Sequence, residues 1–419
     1  MKTEKVEKAG RPLALDREDE RVRHASGLRA AGLAVIDRMR SGDLGSLPVV
    51  VGLAIIWAVF ETLNPIFLSS TNLVNLLFDS STVGFISLGI VCILMVGEID
   101  LSVGSISGLS SALLGVLWVN RGWPFGLAIP SILLVAVIIG CGYALLFIRF
   151  GMPSFVATLA GLLAFLGLQL SILGPTGSIN LPYDSWFVRF GQVLMMPAWV
   201  AYCLGAVIGA CSFLINFRTS RRRAAAGLSA RGVVSLAIQA AAIAIGLEWA
   251  VWYLYFDRGV PWLFGLFVAF MLATNYALTR TQWGRSMKAI GGNREAARRA
   301  GINVGFIFTS AFATCSVFAA CGGLLSAARL ASANLQAGTG DVNLNAIAAA
   351  VIGGTSLFGG RGSAYSALLG VLVIQSISSG LTLLDLSSSL RYMITGGVLA
   401  AAVVIDSLAR RSRVTHGRA

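Results

Sequence analysis

Apolar runs alternate with short polar breaks from about residue 47 to residue 408. About 20 apolar residues, rising 1.5 Å each, cross the hydrocarbon core of a bilayer. Runs of that length cover about 47–66, 80–97, 125–148, 155–174, 193–216, 232–256, 261–279, 305–328, 364–384 and 390–408. Two further pieces, near 102–119 and 346–358, are shorter and rich in Ser, Gly and Ala; they read as full spans or as re-entrant helices. The breaks carry turn and interface residues: Gly97-Glu-Ile-Asp100, Arg121-Gly-Trp-Pro124, Arg149-Phe-Gly-Met-Pro153, Asp257-Arg-Gly-Val-Pro261 and Gly359-Gly-Arg-Gly-Ser363. The pattern predicts an all-α polytopic membrane protein with about 10–12 transmembrane helices. Of the two small-residue pieces, one follows Asp100 and the other Asp341, and the span count puts those acids on opposite sides. That predicts two halves in inverted orientation.

Composition agrees: 56% of the 419 residues are hydrophobic, 12% are charged and the mean hydropathy is +0.79, which excludes an ordinary soluble domain. The net charge of +13 invites a nucleic-acid reading, but 25 of the 32 Lys/Arg fall in residues 1–40, 217–231, 280–303 and after Asp406. Basic patches between apolar runs follow the positive-inside rule and argue against nucleic acid. With twelve crossings and both termini in the cytosol, 27 basic residues lie inside. Only Arg121, Arg189, Arg258, Arg329 and Arg391 lie outside. The organisation that follows is a cytosolic arm over 1–46, partly disordered, and membrane segments over 47–279 and 305–409. A cytosolic loop over 280–304 and a basic tail over 410–419 complete it. The first 40 residues hold no early apolar core, so no cleavable signal peptide is read there. The six cysteines sit in apolar runs as small packing residues, and His24 and His416 lie in the tails, so no metal site is expected.

The loop over 280–304 is the polar exception to the pattern. Within it Asn293 is placed to cap a two-turn helix and Gly301 to end it in a left-handed turn. Such a helix is too short to cross a bilayer and belongs on the membrane surface.

Glu98 and Asp100 stand where a buried charge costs about 2.5–3.5 kcal/mol. They read either as part of a water-filled path or gate with Ser102 and Gly104, or as a local device in which Asp100 caps the helix starting at Ser102; capping is the preferred reading. Gln169, Asn345 and Gln375 either line a path or bond between helices. Arg218-Thr-Ser-Arg-Arg-Arg223 either docks a partner or meets anionic head groups. The glycine run 353–362 lacks the Lys and Ser/Thr of a phosphate loop, so no nucleotide site is expected in this chain.

Three stretches together resemble the permease subunits of ATP-binding-cassette sugar importers, in the ribose/xylose/arabinose branch. They are Glu98-Ile-Asp-Leu-Ser-Val-Gly-Ser105, residues 289–303 (AIGGNREAARRAGIN) and residues 346–363 (AIAAAVIGGTSLFGGRGS). Residues 153–165 (PSFVATLAGLLAF) and an extra pair of spans near 193–256 resemble the xylose type within that branch. The resemblance implies a homodimer, cytosolic ATPase subunits that bind ATP and Mg, and a periplasmic sugar-binding protein, at the inner membrane and among its lipids. It implies a coupling role for Gly291, Gly292, Asn293, Glu295, Ala296, Ala297, Arg298 and Gly301. Arg189, Arg258 and Arg329 are candidates for docking the binding protein, or interfacial anchors. The competing readings are a secondary active sugar or ion-coupled transporter, which needs mid-membrane ionisable groups, and a membrane-embedded enzyme, which needs a catalytic cluster.

Overall fold

The computed structural model describes residues 47–404, apart from Ser229, Thr339, Gly340, Ser388, Leu399, Ala402, Val403 and the side chain of Asp341. The arm over 1–46, the tail over 410–419 and the Asp341 side chain therefore lie outside the described residues.

The elements run α1 (Leu47–Leu63), α2 (Ser70–Met95), α3 (Val103–Leu114, continued as a π-helical turn over Gly115–Asn120), α4 (Phe125–Arg149) and α5 (Ser154–Leu173). Then come β1 (Ser178–Asn180), α6 (Trp186–Gln192), α7 (Ala198–Ala225), α8 (Val233–Leu254) and α9 (Trp262–Arg280). The chain continues through α10 (Gln282–Gly292), α11 (Arg294–Arg299), α12 (Val304–Leu330), β2 (Ser332–Asn334), α13 (Asp341–Ile352) and α14 (Ala364–Leu383). Residues 389–398 are helical again. Among the described residues nine helices are long and apolar enough to cross a membrane, while α1, with 17 residues, and α13 are shorter apolar helices.

The all-α polytopic expectation holds, with corrections in detail. The span expected at about 80–97 begins ten residues earlier. Ser69 caps α2 by accepting from the Asn72 amide, and the polar residues that interrupt the hydropathy pattern, Asn72, Asn75 and Asp79, bond to neighbouring elements. The piece expected at 102–119, as a full span or a re-entrant helix, is with its π turn 18 residues long, roughly 27 Å, enough to cross. The piece expected at 346–358 starts earlier, and its 12 residues reach only about 18 Å. The span expected at 193–216 runs to Ala225, so Arg218–Arg223 form the last turns of a helix rather than a loop. Residues 178–180 and 332–334 pair as a small antiparallel sheet, Ser178 opposite Asn334 and Asn180 opposite Ser332.

Two compact units emerge. The smaller contains the hairpin of α7 and α8, packed where Gly209 meets Ala244 and Gly205 meets Glu248. The larger holds the rest, and its two junctions with the hairpin are tied together: Met195 bridges Pro261, and the Met196 amide donates to the Val260 carbonyl. The hairpin is therefore an insertion whose entry and exit strands adjoin, in keeping with the extra pair of spans read near 193–256.

The larger unit is built around α2 and α12. Their contacts run antiparallel: Gly89 lies against Cys315, Gly322 against Ile86, and Arg329 bonds Asp79. Each long helix packs on the two helices that follow the other one, α12 on α3 and α4, and α2 on α13 and α14. The pairs α4–α12 (Gly140 at Ala313, Phe147 at Phe308) and α14–α2 (Ser379 to Asn72, Gly362 at Met95) are both antiparallel. This exchange is consistent with the two inverted halves expected from the sequence. Phe85, Phe267, Phe270 and Phe318 fill the space between α2, α9 and α12, with centroids 5.3–6.3 Å apart.

Candidate functional site

The two ends of the larger unit differ in charge. One, the basic end, carries Arg149, Arg285, Lys288, Arg294, Arg298, Arg299 and Arg361; the other carries the β1–β2 sheet.

At the basic end α10 lies as an amphipathic surface helix. Thr281 caps it, and Gly284, Met287 and Ile290 turn inward one turn apart. The Trp283 indole N–H donates to Ser310 Oγ on α12 at 2.8 Å, fixing the helix to that long span. Gly291, near its end, is pressed into backbone: a Cβ there would fall on the Met95 carbonyl oxygen and the Gly360 amide nitrogen. The Gly360 amide donates to the Met95 carbonyl at 3.1 Å. A Cβ on Gly359 would come within 2.8 Å of Gly97 Cα and 2.9 Å of the Gly291 carbonyl. Three loops that are far apart in sequence, around Gly97, Gly291 and Gly359, thus meet backbone to backbone. Gly291 and Gly359 lie within two of the stretches that carried the family resemblance, and Gly97 directly precedes the third.

The short helix α11 starts three residues beyond Gly291. Asn293 caps it as expected, accepting from the Ala296 amide at 2.9 Å, and Gly301 ends it with φ +82°. Arg294 lies over the rings of Phe147 on α4 and Phe308 on α12, 5.3 and 4.9 Å from their centroids, which anchors the helix to two spans. Glu295 accepts from Arg298 Nη2 at 2.9 Å and Arg299 Nε at 3.2 Å, and these hydrogen bonds, led by Arg298, hold its carboxyl below the ordinary carboxylate range. Glu295, Ala296, Arg298 and Arg299 are exposed, as are Asn293 and Gly292. Ala297 is the exception: it is buried and turns into the protein, so it presents nothing outward.

From Met95 the chain turns through Gly97 to Glu98, the first residue of the next polar group. Ser154, opening α5, donates to Glu98 Oε2 at 2.5 Å. Burial raises the Glu98 pKa above its ordinary 4.5, while the Ser154 bond and the nearby Arg294 charge pull it back. Two residues on, Asp100 is fully buried. Its Oδ1 accepts from the Ser102 amide at 2.8 Å and from Ser102 Oγ at 2.6 Å, an Asx turn that closes the chain ahead of α3. Asp100 closes this turn ahead of α3 and accepts no hydrogen bond from the helix's own first amides. The device differs from a simple N-cap because Asp100 stands two residues before the cap position, Ser102. Its second oxygen and the Tyr143 hydroxyl are buried with no hydrogen-bond partner, and the Cys315 thiol lies in reach of the carboxyl.

The same break meets the other half of the fold. The Leu101 amide donates to Thr158 Oγ1 at 3.2 Å, and the Leu101 carbonyl accepts from Asn343 Nδ2 at 2.6 Å. Gly104 abuts the Gly338 carbonyl and Asn343, and Gly108 abuts the Ala337 carbonyl, so the loop before α13 dips along α3 rather than staying at the surface. Gln169 seats that loop, donating to the carbonyls of Asn334 and Ala337 at 2.9 and 3.0 Å. It is a bonding residue, the second of its two sequence readings. Asn345 and Gln375 are half-buried on α13 and α14. The polar residue that joins the two breaks is Asn343, which the sequence pattern did not single out because α13 begins five residues before its expected start.

At the opposite end Arg329 and Arg258 are engaged within the chain. Arg329 bonds Asp79 at 2.9 Å and lies over Phe78, and Arg258 pairs with Asp257 and reaches Asn75 Oδ1 at 3.0 Å. Arg329 braces α2 to the end of α12, and Arg258 braces α2 to the loop before α9. Arg189, on α6, is exposed. Among the described residues no group of three His, Cys, Asp or Glu is placed to hold a metal ion.

The chain matches the family model described as "Branched-chain amino acid transport system / permease component" over residues 72–403. It is 35% identical over 371 residues to the xylose transport system permease protein of Escherichia coli strain K12, covering 87% of this chain and 93% of that protein. It is 32% identical to the xylose transport system permease protein of Haemophilus influenzae, covering 88% and 98%. It is 31% identical to the ribose import permease protein of Bacillus subtilis strain 168, covering 87% and 94%. No solved structure gives a significant match.

Proposed function

Because the chain belongs to the branched-chain amino acid transport system / permease component family, we propose that it is the membrane-spanning permease subunit of an ATP-driven importer that carries a pentose, xylose foremost, across the bacterial inner membrane. Its similarity to xylose and ribose permeases supports the substrate class.

The observation that carries the reading is the convergence of Gly97, Gly291 and Gly359 at the basic end, directly behind α11. A small, capped, exposed helix presents a surface to a cytosolic ATPase. The backbone contact at Gly291 links that helix to the end of α2 and to the turn before α14, one span from each half. Differential binding of the ATPase in its ATP and ADP states then biases the two halves toward different arrangements. Arg294, clamped between Phe147 and Phe308, makes α4 and α12 move with it. Asp100 and Asn343 hold the two breaks together, so the halves pivot about a bonded centre. The protomer's breaks are packed shut, which suits a translocation path between two copies of the chain, fed by a periplasmic binding protein.

Vesicles holding this chain, the ATPase and the binding protein take up xylose only with ATP. In Glu295→Ala, uptake and coupled ATP hydrolysis fall several-fold while membrane insertion is unchanged. Uptake driven by an ion gradient without ATP would instead support the secondary-transporter class.

A further inference from the structure

The inserted hairpin carries a surface that the transport reading leaves unused. It holds four arginines on the last turns of α7, a fifth, Arg231, in the connection to α8, and no acid before Glu248. Arg218, Arg221 and Arg222 are exposed on the last turns of α7. An apolar groove of about 380 Å³ runs between α7 and α8, lined by Gly209, Ala210, Phe213, Ala237, Ala241 and Ala244. Groove and arginines are joined by a ladder of rings. Phe213 stacks on Phe217 with centroids 5.6 Å apart and planes 14° apart, and the Arg221 guanidinium lies 5.5 Å from the Phe217 centroid. The positions 210, 213, 217 and 221 follow the three- and four-residue spacing of one helix face.

We propose that this face binds an anionic diacyl phospholipid, its phosphate at Arg221 and Arg222, one acyl chain passing over Phe217 and Phe213 into the groove. The two parts of the surface match the two parts of that molecule. The exposed Arg218, Arg221 and Arg222 supply positive charge where an anionic leaflet surface lies, and the groove supplies a dry slot beginning about two turns deeper. A free phosphate ion would leave the groove unused. A second copy packed face to face would set its own arginines against these at the same depth, which charge repulsion opposes. The inference concerns the hairpin alone and does not rest on the ATP-driven reading.

Native mass spectrometry of the full chain in detergent, with equal phosphatidylglycerol and phosphatidylethanolamine, tests it. Each arginine near an anionic surface strengthens attraction roughly five-fold. The natural chain therefore retains phosphatidylglycerol preferentially, and Arg221→Gln with Arg222→Gln lowers that preference by about ten-fold or more. Ala241→Trp, which fills the groove, lowers retention of both lipids without changing the preference. Equal retention of both lipids by the natural chain, or an unchanged preference in the arginine variant, overturns the proposal. So does release of the lipid by millimolar inorganic phosphate with no effect of Ala241→Trp, which marks an ion site. Loss of the dimer in Ala241→Trp with lipid retention intact also overturns it, since a second copy then covers the groove.

Discussion

Gly291→Ala loses at least ten-fold in ATP-driven uptake, while its neighbour Gly292→Ala stays near the natural rate. The added methyl at 291 falls on the Met95 carbonyl and the Gly360 amide, both main chain. Main chain cannot swing aside as the end of a side chain can, so one of the three loops must move. Overpacking of this kind costs typically 1–3 kcal/mol, and about 1.4 kcal/mol is a factor of ten. The strain falls on the contact through which α11 reaches α2 and α14. At Gly292 a Cβ meets nothing within 4 Å. The pair therefore separates a transmission defect from a general effect of losing glycine in this loop. Rates for the two variants in the same vesicle assay, with matched protein incorporation, are the measurement. Equal rates in the two variants contradict the proposed route.

The second large effect is on stability. Asp100→Ala leaves the Ser102 amide and hydroxyl without their acceptor in a fully buried place. Each stranded donor costs about 1–3 kcal/mol, so the sum is about 2–6 kcal/mol. At roughly 2 °C per kcal/mol for a large chain, the detergent-solubilised protein melts about 4–12 °C lower. Asp100→Asn retains an oxygen acceptor at the same position and melts close to the natural chain. If Asp100→Ala melts like Asp100→Asn, the Asx turn does not hold the break.

The contrast between these two sites explains what could be read in advance. The helix α11 was legible because its signals are local: Asn293 and Gly301 bracket a run of good helix formers, and capping needs only residues three or four apart. Asp100 was legible for the same reason, since its bonds go two residues along the chain. Asn343 was not, because its partner, Leu101, is 242 positions away. Nothing in an apolar window around α13 separates Asn343 from Asn345 until the helix start is known. The early start of α2 was hidden by Asn72, Asn75 and Asp79, which lower the local hydropathy and bond to other elements of the fold. Arg258 and Arg329 looked like outward-facing cations for a related reason. Asp257 is next to Arg258 in sequence, but Asp79 and the shared Asn75 are brought to these arginines by folding, in Arg329's case across 250 positions. Ala297 looked like a contact residue until the helix phase was fixed, after which Ala296 is the exposed alanine. The convergence of the three glycine loops has no sequence signal beyond the glycines themselves. It comes from the antiparallel packing of α2 against α12 and α14, which brings their ends to one level.

The central claim is that α11 meets a cytosolic ATPase and passes its motion inward through Gly291. Disulfide or short-linker crosslinking from Ala296→Cys tests this most directly, with Tyr183→Cys, exposed in the loop between β1 and α6, as the comparison. A crosslink from position 296 to the ATPase subunit, changed in yield when ATP replaces ADP and absent from position 183, is the predicted result. No crosslink from position 296 in an assembled, active transporter, or equal crosslinking from both positions, would contradict it.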